Sequence, residues 1–313
     1  MVFQRATRHL VVALFALACQ PARVGTSTLL ADSATAKPDA AAADISSADA
    51  GGTEAGADAT LAGADGATAS PDPVAMVAFP AGTYYRGASA KQVTAGLSME
   101  DELPQHQVQI SAFALDQQEV TAARYGACVQ AGKCTPATSA ATKASCNTDA
   151  PGQGNHPINC VNWLQAEAYC AWAGKRLPTD AEWEYAARGM DSGPEPRWYP
   201  WGNEAPDCTR AVMKDASGDG CGLKATWPVC SKPAGNSPQG LCDLAGNVWE
   251  FTSDWFYAYG SGIQTDPIGP KAGTIKVIRG GSSAAPAEGM RASLRGTLDP
   301  TKAFSDIGFR CAK

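Results

Sequence analysis

Few side chains in this chain of 313 residues could carry acid–base or metal chemistry. It has three histidines, and after His9 only His106 and His156 remain, too few for a histidine-rich zinc site. The H-E-x-x-H, G-x-S-x-G, Walker A and G-x-G-x-x-G motifs are absent from the sequence. Glu102 and His106 could form an acid–base pair. The alternative is that both are surface side chains beside the start of a predicted strand, with no role in catalysis.

Cysteine is the second residue type that could do chemistry, and the chain contains eleven. Cys19 directly follows the wholly apolar residues 10–18. Nine apolar residues are too few to cross a bilayer, so residues 1–19 are interpreted as a secretion signal. The segment resembles a bacterial lipoprotein signal in which Cys19 is acylated, and ordinary cleavage after Ala18 is the alternative. The sequence therefore predicts a cell-envelope protein with a lipid anchor in a membrane, facing the periplasm or the surface.

Residues 20–73 are predicted to be a disordered tether. They are mostly Ala, Asp, Gly, Ser and Thr and contain no aromatic residue, so they cannot offset the entropy of ordering the backbone. All eight Trp and all eight Tyr lie after residue 73, which predicts a folded domain over residues 74–313. That domain is close to neutral, which gives no electrostatic reason to expect a nucleic acid as its partner.

The ten cysteines that remain after Cys19 are an even number, which suits disulfides in an oxidising compartment. Zinc binding by Cys208, Cys221, Cys230 and Cys242 is the alternative, although these residues lack C-x-x-C spacing. The choice matters because long stretches of the domain are dense in Gly, Pro and Asn. Such loops need disulfides or bound cations to hold them in place.

The elements that must position these residues are few. Three amphipathic segments are predicted to be helices, over residues 121–130, 163–173 and 179–188, with Thr121, Asn162 and Thr179 as their capping residues. Four short alternating runs are predicted to be strands, at Met76–Phe79, Gln107–Ala114, Ile275–Arg279 and Ile307–Cys311. The domain should therefore be mostly irregular.

Motifs across residues 76–311 resemble, in order, those of the formylglycine-generating enzyme (sulfatase-modifying factor) family. The matching stretches are Pro80–Thr83, Asp101–His106, Glu119–Thr121, Asn162–Trp163, Ala168–Thr179, Glu182–Gly189, Tyr199–Gly202, Gly246–Glu250, Arg279–Ser282 and Gly308–Arg310. The resemblance implies an α+β, C-type-lectin-like fold with little regular secondary structure. This agrees with the elements predicted from the residues themselves.

In that family, two cysteines that follow the Arg-Gly-Gly-Ser motif bind copper and, with dioxygen, convert a sulfatase cysteine to formylglycine. The matching positions here are Ala285 and Met290. Ser282 matches a serine of the oxygen pocket, and Ser283 stands where the family usually has Trp. Cu(I) prefers thiolates, so copper is not expected and no catalytic residue is assigned. Ser282, Ala285 and Met290 are instead predicted to line a ligand pocket.

The resemblance also implies a calcium site and a disulfide. Asp243 and Glu250 would supply carboxylates to calcium, and Gly246 and Val248 would supply backbone carbonyls, with local capping or pairing by the two carboxylates as the alternative. Cys170 and Cys311 match a disulfide of the family. The other eight cysteines allow many connectivities, among which sequence neighbours suggest Cys128–Cys134, Cys146–Cys160, Cys208–Cys221 and Cys230–Cys242.

These observations favour a secreted, lipid-anchored protein whose domain binds a protein or small-molecule ligand without copper. The alternative is an oxidase of the same family, either one that converts a protein cysteine to formylglycine or one with another arrangement of metal ligands. A structural envelope protein is a third possibility, and it predicts no pocket beside Ser282, Ala285 and Met290.

Overall fold

The computed structural model describes residues 72–137, 145–148, 150–190 and 192–313. The predicted signal peptide, Cys19 and all but the last two residues of the predicted tether lie outside the described residues. The described part begins at Asp72, whose carboxylate pairs with Arg124 at 2.5 Å and with Lys175 at 2.9 Å. Within these ranges, none of the helices has the length and apolar character that a membrane span requires.

The predicted helices are confirmed, and a short fourth one precedes them. Their bounds are Ala90–Thr94 (α1), Ala122–Gln130 (α2), Trp163–Trp172 (α3) and Asp180–Arg188 (α4). The side chains of Thr121, Asn162 and Thr179 accept hydrogen bonds from backbone N–H groups in the first turns of α2, α3 and α4. These caps satisfy amides that have no partner within the helix, so the helices begin where the sequence predicts.

Nine short strands form three small sheets in the described residues. The strands are Met76–Phe79 (β1), Gly82–Arg86 (β2), His106–Ile110 (β3), Phe113–Asp116 (β4), Trp249–Trp255 (β5), Gln264–Thr265 (β6), Lys276–Arg279 (β7), Gly296–Leu298 (β8) and Ile307–Gly308 (β9). β1 pairs with β4, the order β2-β3-β6 forms a second sheet, and β8-β7-β5-β9 forms the largest. With four helices around these sheets, the predicted α+β class with little regular structure is confirmed.

The predicted strand Gln107–Ala114 is wrong as a single element. The structure divides it into β3 and β4, which pair with different strands in different sheets. Ser111 lies at the break, and its amide and hydroxyl both donate to the Asp266 carboxylate, each at 2.7 Å. The predicted strand Ile307–Cys311 is shorter in the structure, where only Ile307–Gly308 forms a strand, β9. The carbonyls of Phe309 and Cys311 instead accept hydrogen bonds from the backbone amides of Val120 and Asp116.

A buried charge network joins α4 to β7. The Asp180 carboxylate lies 2.5 Å from Arg86, 2.5 Å from Arg279 and 3.1 Å from Arg295, and all four side chains are fully buried. Burial alone would raise the pKa of Asp180, but the three guanidinium groups outweigh it and hold that pKa below its usual range. Because Arg279 ends β7, the network fixes the start of the loop that follows.

Five disulfides join all ten cysteines of the described residues. The pairs are Cys128–Cys134, Cys146–Cys160, Cys170–Cys311, Cys208–Cys221 and Cys230–Cys242. The zinc alternative is therefore wrong, since its four cysteines are bonded to one another. Five disulfides are typical of proteins in an oxidising compartment outside the cytoplasm.

Candidate functional site

The chain turns sharply after β7, where Gly280 and Gly281 have φ of 92° and 75°. A Cβ on Gly281 would lie 2.6 Å from the Met290 side chain and 2.7 Å from the Gly289 carbonyl. Only glycine therefore combines this backbone conformation with so close an approach. The turn presents Ser282 and the residues that follow it at the candidate site.

Hydrogen bonds fix the segment after the turn. The Ser282 hydroxyl donates to Asp306 at 3.0 Å and accepts from the Ala284 amide at 3.3 Å. The Ser283 amide donates to the Asn247 carbonyl at 2.9 Å, which ties this segment to the Gly246–Glu250 motif. Two motifs that are distant in the sequence are thus brought together.

A polar cavity of about 360 Å³ lies against this segment. Ser283, Ala284 and Asp306 form one wall, and the remaining walls include Asp219, Lys224 and Thr226. Carboxylates, an ammonium and hydroxyl groups around one cavity suit a polar ligand that both donates and accepts hydrogen bonds. This cavity is not lined by Ser282, Ala285 or Met290, so it does not decide the structural-protein alternative, which predicts no pocket beside those three residues.

The far wall of the cavity is held in place by buried polar groups. The Asn147 side chain donates to the Thr226 hydroxyl at 2.9 Å and to the Pro157 carbonyl at 2.7 Å. The same hydroxyl is 3.0 Å from His156 Nδ1. These bonds restrict the side chains around the cavity before any ligand arrives, which lowers the entropy cost of binding.

Ala285 and Met290 are brought together, but away from this cavity wall. Met290 is fully buried in an apolar cluster with Tyr199, Ala211 and Met213, and Ala285 packs against the same cluster. Of the predicted pocket residues, Ser282 does not line the cavity but hydrogen-bonds to Asp306, which does. Ser283 and Ala284 line the cavity, and Ala285 and Met290 do not. The hydrophobic character of Met290 explains its burial.

The residues at these two positions do not fit a copper ion. They offer one thioether inside an apolar cluster and no thiol. Every cysteine of the described residues is already part of a disulfide, so no thiolate of that region is free to replace them. Soft Cu(I) needs such ligands.

The predicted calcium set is arranged around an arginine. Both Glu250 oxygens accept from Arg310 at 2.7 Å, and one also accepts from the Trp183 indole at 2.8 Å. The Asp243 carboxylate accepts from the Cys230 amide at 2.6 Å. This arrangement supports the alternative of local pairing, because calcium would have to compete with Arg310 for Glu250. Calcium binding at Asp243, Gly246, Val248 and Glu250 stays a prediction.

Glu119 and Asp306 are site residues that the sequence prediction missed. Glu119 is buried and accepts from the Asn247 side chain at 2.8 Å and from the Val248 amide at 3.3 Å. Burial raises the pKa of Glu119 well above its usual range, and the carboxylates of Asp243 and Glu250 raise it further. Glu119 lies in one of the recognised motifs, so its sequence position was a usable signal. Asp306 lies in none.

Glu102 and His106 do not form an acid–base pair. Glu102 is buried against Arg291, with oxygen–nitrogen distances of 2.8 and 3.0 Å. The His106 Nδ1 lies 3.0 Å from the Pro104 carbonyl, and its ring packs against Tyr259. Both residues are buried, so the alternative of two surface side chains is also wrong. Their partners give them structural roles.

Comparison with protein families gives a match over most of the chain. The profile described as the sulfatase-modifying factor enzyme 1-like domain matches residues 64–313. The chain is 33% identical over 287 residues to the formylglycine-generating enzyme of Streptomyces coelicolor, covering 75% of this chain and 88% of that enzyme. It is also 38% identical over 176 residues to the Bos taurus protein named inactive C-alpha-formylglycine-generating enzyme 2, covering 52% and 53% of the two chains.

Solved structures agree with the fold. PvdO from Pseudomonas aeruginosa superposes with a TM-score of 0.59 and 27% identity, covering 76% of this chain and 93% of that one. Treponema denticola variable protein 1 superposes with a TM-score of 0.59 and 24% identity, covering 76% and 94%, a likeness that shows the fold alone. The predicted C-type-lectin-like, formylglycine-generating-enzyme type of fold is confirmed.

Proposed function

Because this chain belongs to the sulfatase-modifying factor enzyme 1-like domain family, we propose that it is a copper-independent member whose function is ligand binding. The ligand occupies the polar cavity lined by Ser283, Ala284 and Asp306. It is a polar molecule or segment that can exchange hydrogen bonds with hydroxyl, carboxylate and ammonium groups.

The proposal that copper chemistry is absent rests on one observation. Ala285 and Met290 stand at the copper positions and are packed into an apolar cluster that contains no free thiol. A methionine thioether alone is a poor substitute for two thiolates. The Bos taurus relative whose name describes it as inactive supports the existence of family members without this activity.

The alternative function is oxidation of a protein cysteine to formylglycine. It would require a copper site built from ligands other than cysteine thiolates. Among the described residues no cysteine thiol is free, and no group of three or more histidine, cysteine or acidic side chains converges, so neither feature supports such a site.

An oxygen-consumption assay distinguishes the two functions. The full chain would be incubated with Cu(I) and a cysteine-containing peptide, beside the Streptomyces coelicolor relative as a positive control. We expect the relative to consume oxygen and this chain to match the protein-free background. Turnover above that background would reject the copper-independent proposal.

We also propose that the domain is attached to a membrane of the cell envelope through acylated Cys19. The cysteine after a short apolar run supports this attachment, and the five disulfides support an extracytoplasmic domain. The tether of residues 20–73 would then separate the domain from the membrane surface.

A further inference from the structure

A second cleft, of about 780 Å³, has a different set of lining residues from the polar cavity. It is bounded by α3, by the last residues of β5 and by the loop 266–271. Its walls are mostly apolar and include Trp163, Trp255, Leu177 and Ile268. Ile268 is 65% exposed, so an apolar side chain stands open at this cleft. None of the residues of the polar cavity lines it.

Lys276 places a buried positive charge in the wall of this cleft. The residue is 3% exposed, and its Nζ lies 3.7 Å from the ring centre of Trp163 and 3.9 Å from that of Trp255. It donates one hydrogen bond, of 2.7 Å, to the Ser253 carbonyl. One of the three ammonium N–H groups donates to this carbonyl and the two indole faces attract the charge through cation–π contacts, so none of these contacts supplies an anionic partner.

Among the described residues, no carboxylate oxygen lies within 4.0 Å of the Lys276 ammonium, so no ion pair neutralises its charge. Burial lowers the pKa of Lys276 to about 8, while the more distant carboxylates of Glu167 and Asp254 act in the opposite direction. A buried cation without a counterion is costly, and an anion supplied by a ligand would remove part of that cost.

The other charged groups of the cleft have partners or face solvent. Lys175 pairs with Asp72 and Asp116, Arg176 pairs with Glu182, and Asp266 accepts from Ser111. Lys271 is exposed at the cleft and adds a second positive charge there. Glu167 and Asp266 are exposed carboxylates of the same cleft and offset the two lysines, so the charge that a ligand could match is the buried one of Lys276.

The two indoles are rigidly placed. The Trp163 indole donates to the Thr252 carbonyl at 2.8 Å. A Cβ on Gly273 would lie 2.9 Å from the Trp255 side chain, so the adjoining loop packs closely on that ring. Fixed aromatic walls around a cation suit a ring-bearing ligand that carries a negative charge.

We propose that this cleft binds a small carboxylate whose anionic group pairs with Lys276 and whose ring packs against Trp163 and Trp255. An aromatic acid and a uronic acid sugar both present a carboxylate on a ring, and binding measurements distinguish these two sources. Neither Ala285 nor Met290 lines this cleft. A failure of this proposal would therefore leave the proposed copper-independent function unaffected.

Calorimetric titration of the full chain tests this site. The probes are benzoate and galacturonate, with benzamide as the neutral match of benzoate. We expect one of the two acids to bind at least about tenfold more tightly than benzamide at about pH 7, which identifies the source. Failure of both acids to bind, or equal binding of benzoate and benzamide without binding of galacturonate, would overturn the proposal.

The variant Lys276→Met removes the charge and keeps the apolar stem, and Lys271→Met is the matched control at the exposed lysine. We expect Lys276→Met to weaken the preferred acid at least about tenfold and Lys271→Met to change it less than about threefold. If Lys276→Met does not fold, wild type still decides the matter. Its affinity should fall as the pH rises through about 8, because deprotonation of Lys276 removes the partner of the carboxylate. A flat pH profile would overturn the proposal.

Discussion

At the scale of single residues, Glu250 and Arg310 form a buried ion pair near the candidate site. Both side chains are buried, so Glu250→Ala leaves the Arg310 charge without its partner. We expect a loss of about 3–5 kcal/mol in the free energy of unfolding, measured with urea. Lys214→Ala breaks an ion pair in which both side chains are about half exposed, and it should cost less than about 1 kcal/mol. Similar costs for the two variants would contradict the importance of burial.

The same variant bears on the predicted calcium site. A cation bound only to the folded protein raises the melting temperature with concentration. The predicted calcium site therefore requires a melting temperature that rises with calcium, whereas local pairing of Glu250 with Arg310 alone requires the same melting temperature with calcium or with chelator. We expect a calcium-dependent rise that Asp243→Ala and Glu250→Ala each remove, and a melting temperature that does not respond to calcium or chelator would contradict the calcium site.

The sequence identified part of the site at this scale. The sequence singled out the turn at Ser282 and the Gly246–Glu250 motif, and the hydrogen bond from the Ser283 amide to the Asn247 carbonyl brings these two segments together. Asp306 could not be found in this way, because its contact with Ser282 depends on how β9 pairs with β5. Sequence spacing also could not show that Met290 points into an apolar cluster rather than toward a cavity.

At the scale of elements, Asp180 at the start of α4 makes the stability of the fold dependent on pH. Its pKa is lowered in the folded state, so its stabilising contribution is present above its ordinary value of 3.8 and is lost as the pH falls below it. We expect Asp180→Asn to cost about 3–5 kcal/mol at neutral pH and to flatten the acid side of the stability profile. Urea unfolding at several pH values measures both. A variant with the wild-type acid profile would contradict this role.

The disulfide between α3 and the segment after β9 gives a second prediction at this scale. Cys170 and Cys311 are 141 residues apart, whereas Cys128 and Cys134 are only 6 apart. In the chain-entropy relation, removing the long-range bridge costs about 5 kcal/mol and removing the short one about 2 kcal/mol. Unfolding of the two double Cys→Ala variants, each with its other four disulfides intact, compares these costs. Equal costs, or a larger cost for the short bridge, would contradict the prediction.

Elements were predictable from the sequence to different degrees. The starts of α2, α3 and α4 were found because a cap and the first turn lie within a few residues of each other. The division of residues 107–114 into β3 and β4 was missed because it is set by pairing with β2 and β1. Partners of this kind are chosen by the whole fold, so a local pattern does not reveal them.

At the scale of the whole molecule, attachment to the envelope is the first question. If Cys19 is acylated, the protein should partition into the detergent phase, and Cys19→Ala should release it or block its processing. Phase partition followed by immunoblotting measures this, with the disulfide variant Cys128→Ala and Cys134→Ala as a control that keeps the anchor. Unchanged membrane association of Cys19→Ala would contradict the lipid anchor.

The central claim is that this domain has the family fold without a copper site, and competition with a chromophoric Cu(I) chelator tests it most directly. Wild type should leave the chelator loaded. The double variant Ala285→Cys and Met290→Cys should remove Cu(I) with an affinity at least about tenfold higher, because the two positions meet at one apolar cluster and two thiolates there form a soft site. Wild-type binding as tight as that of the double variant would contradict the claim.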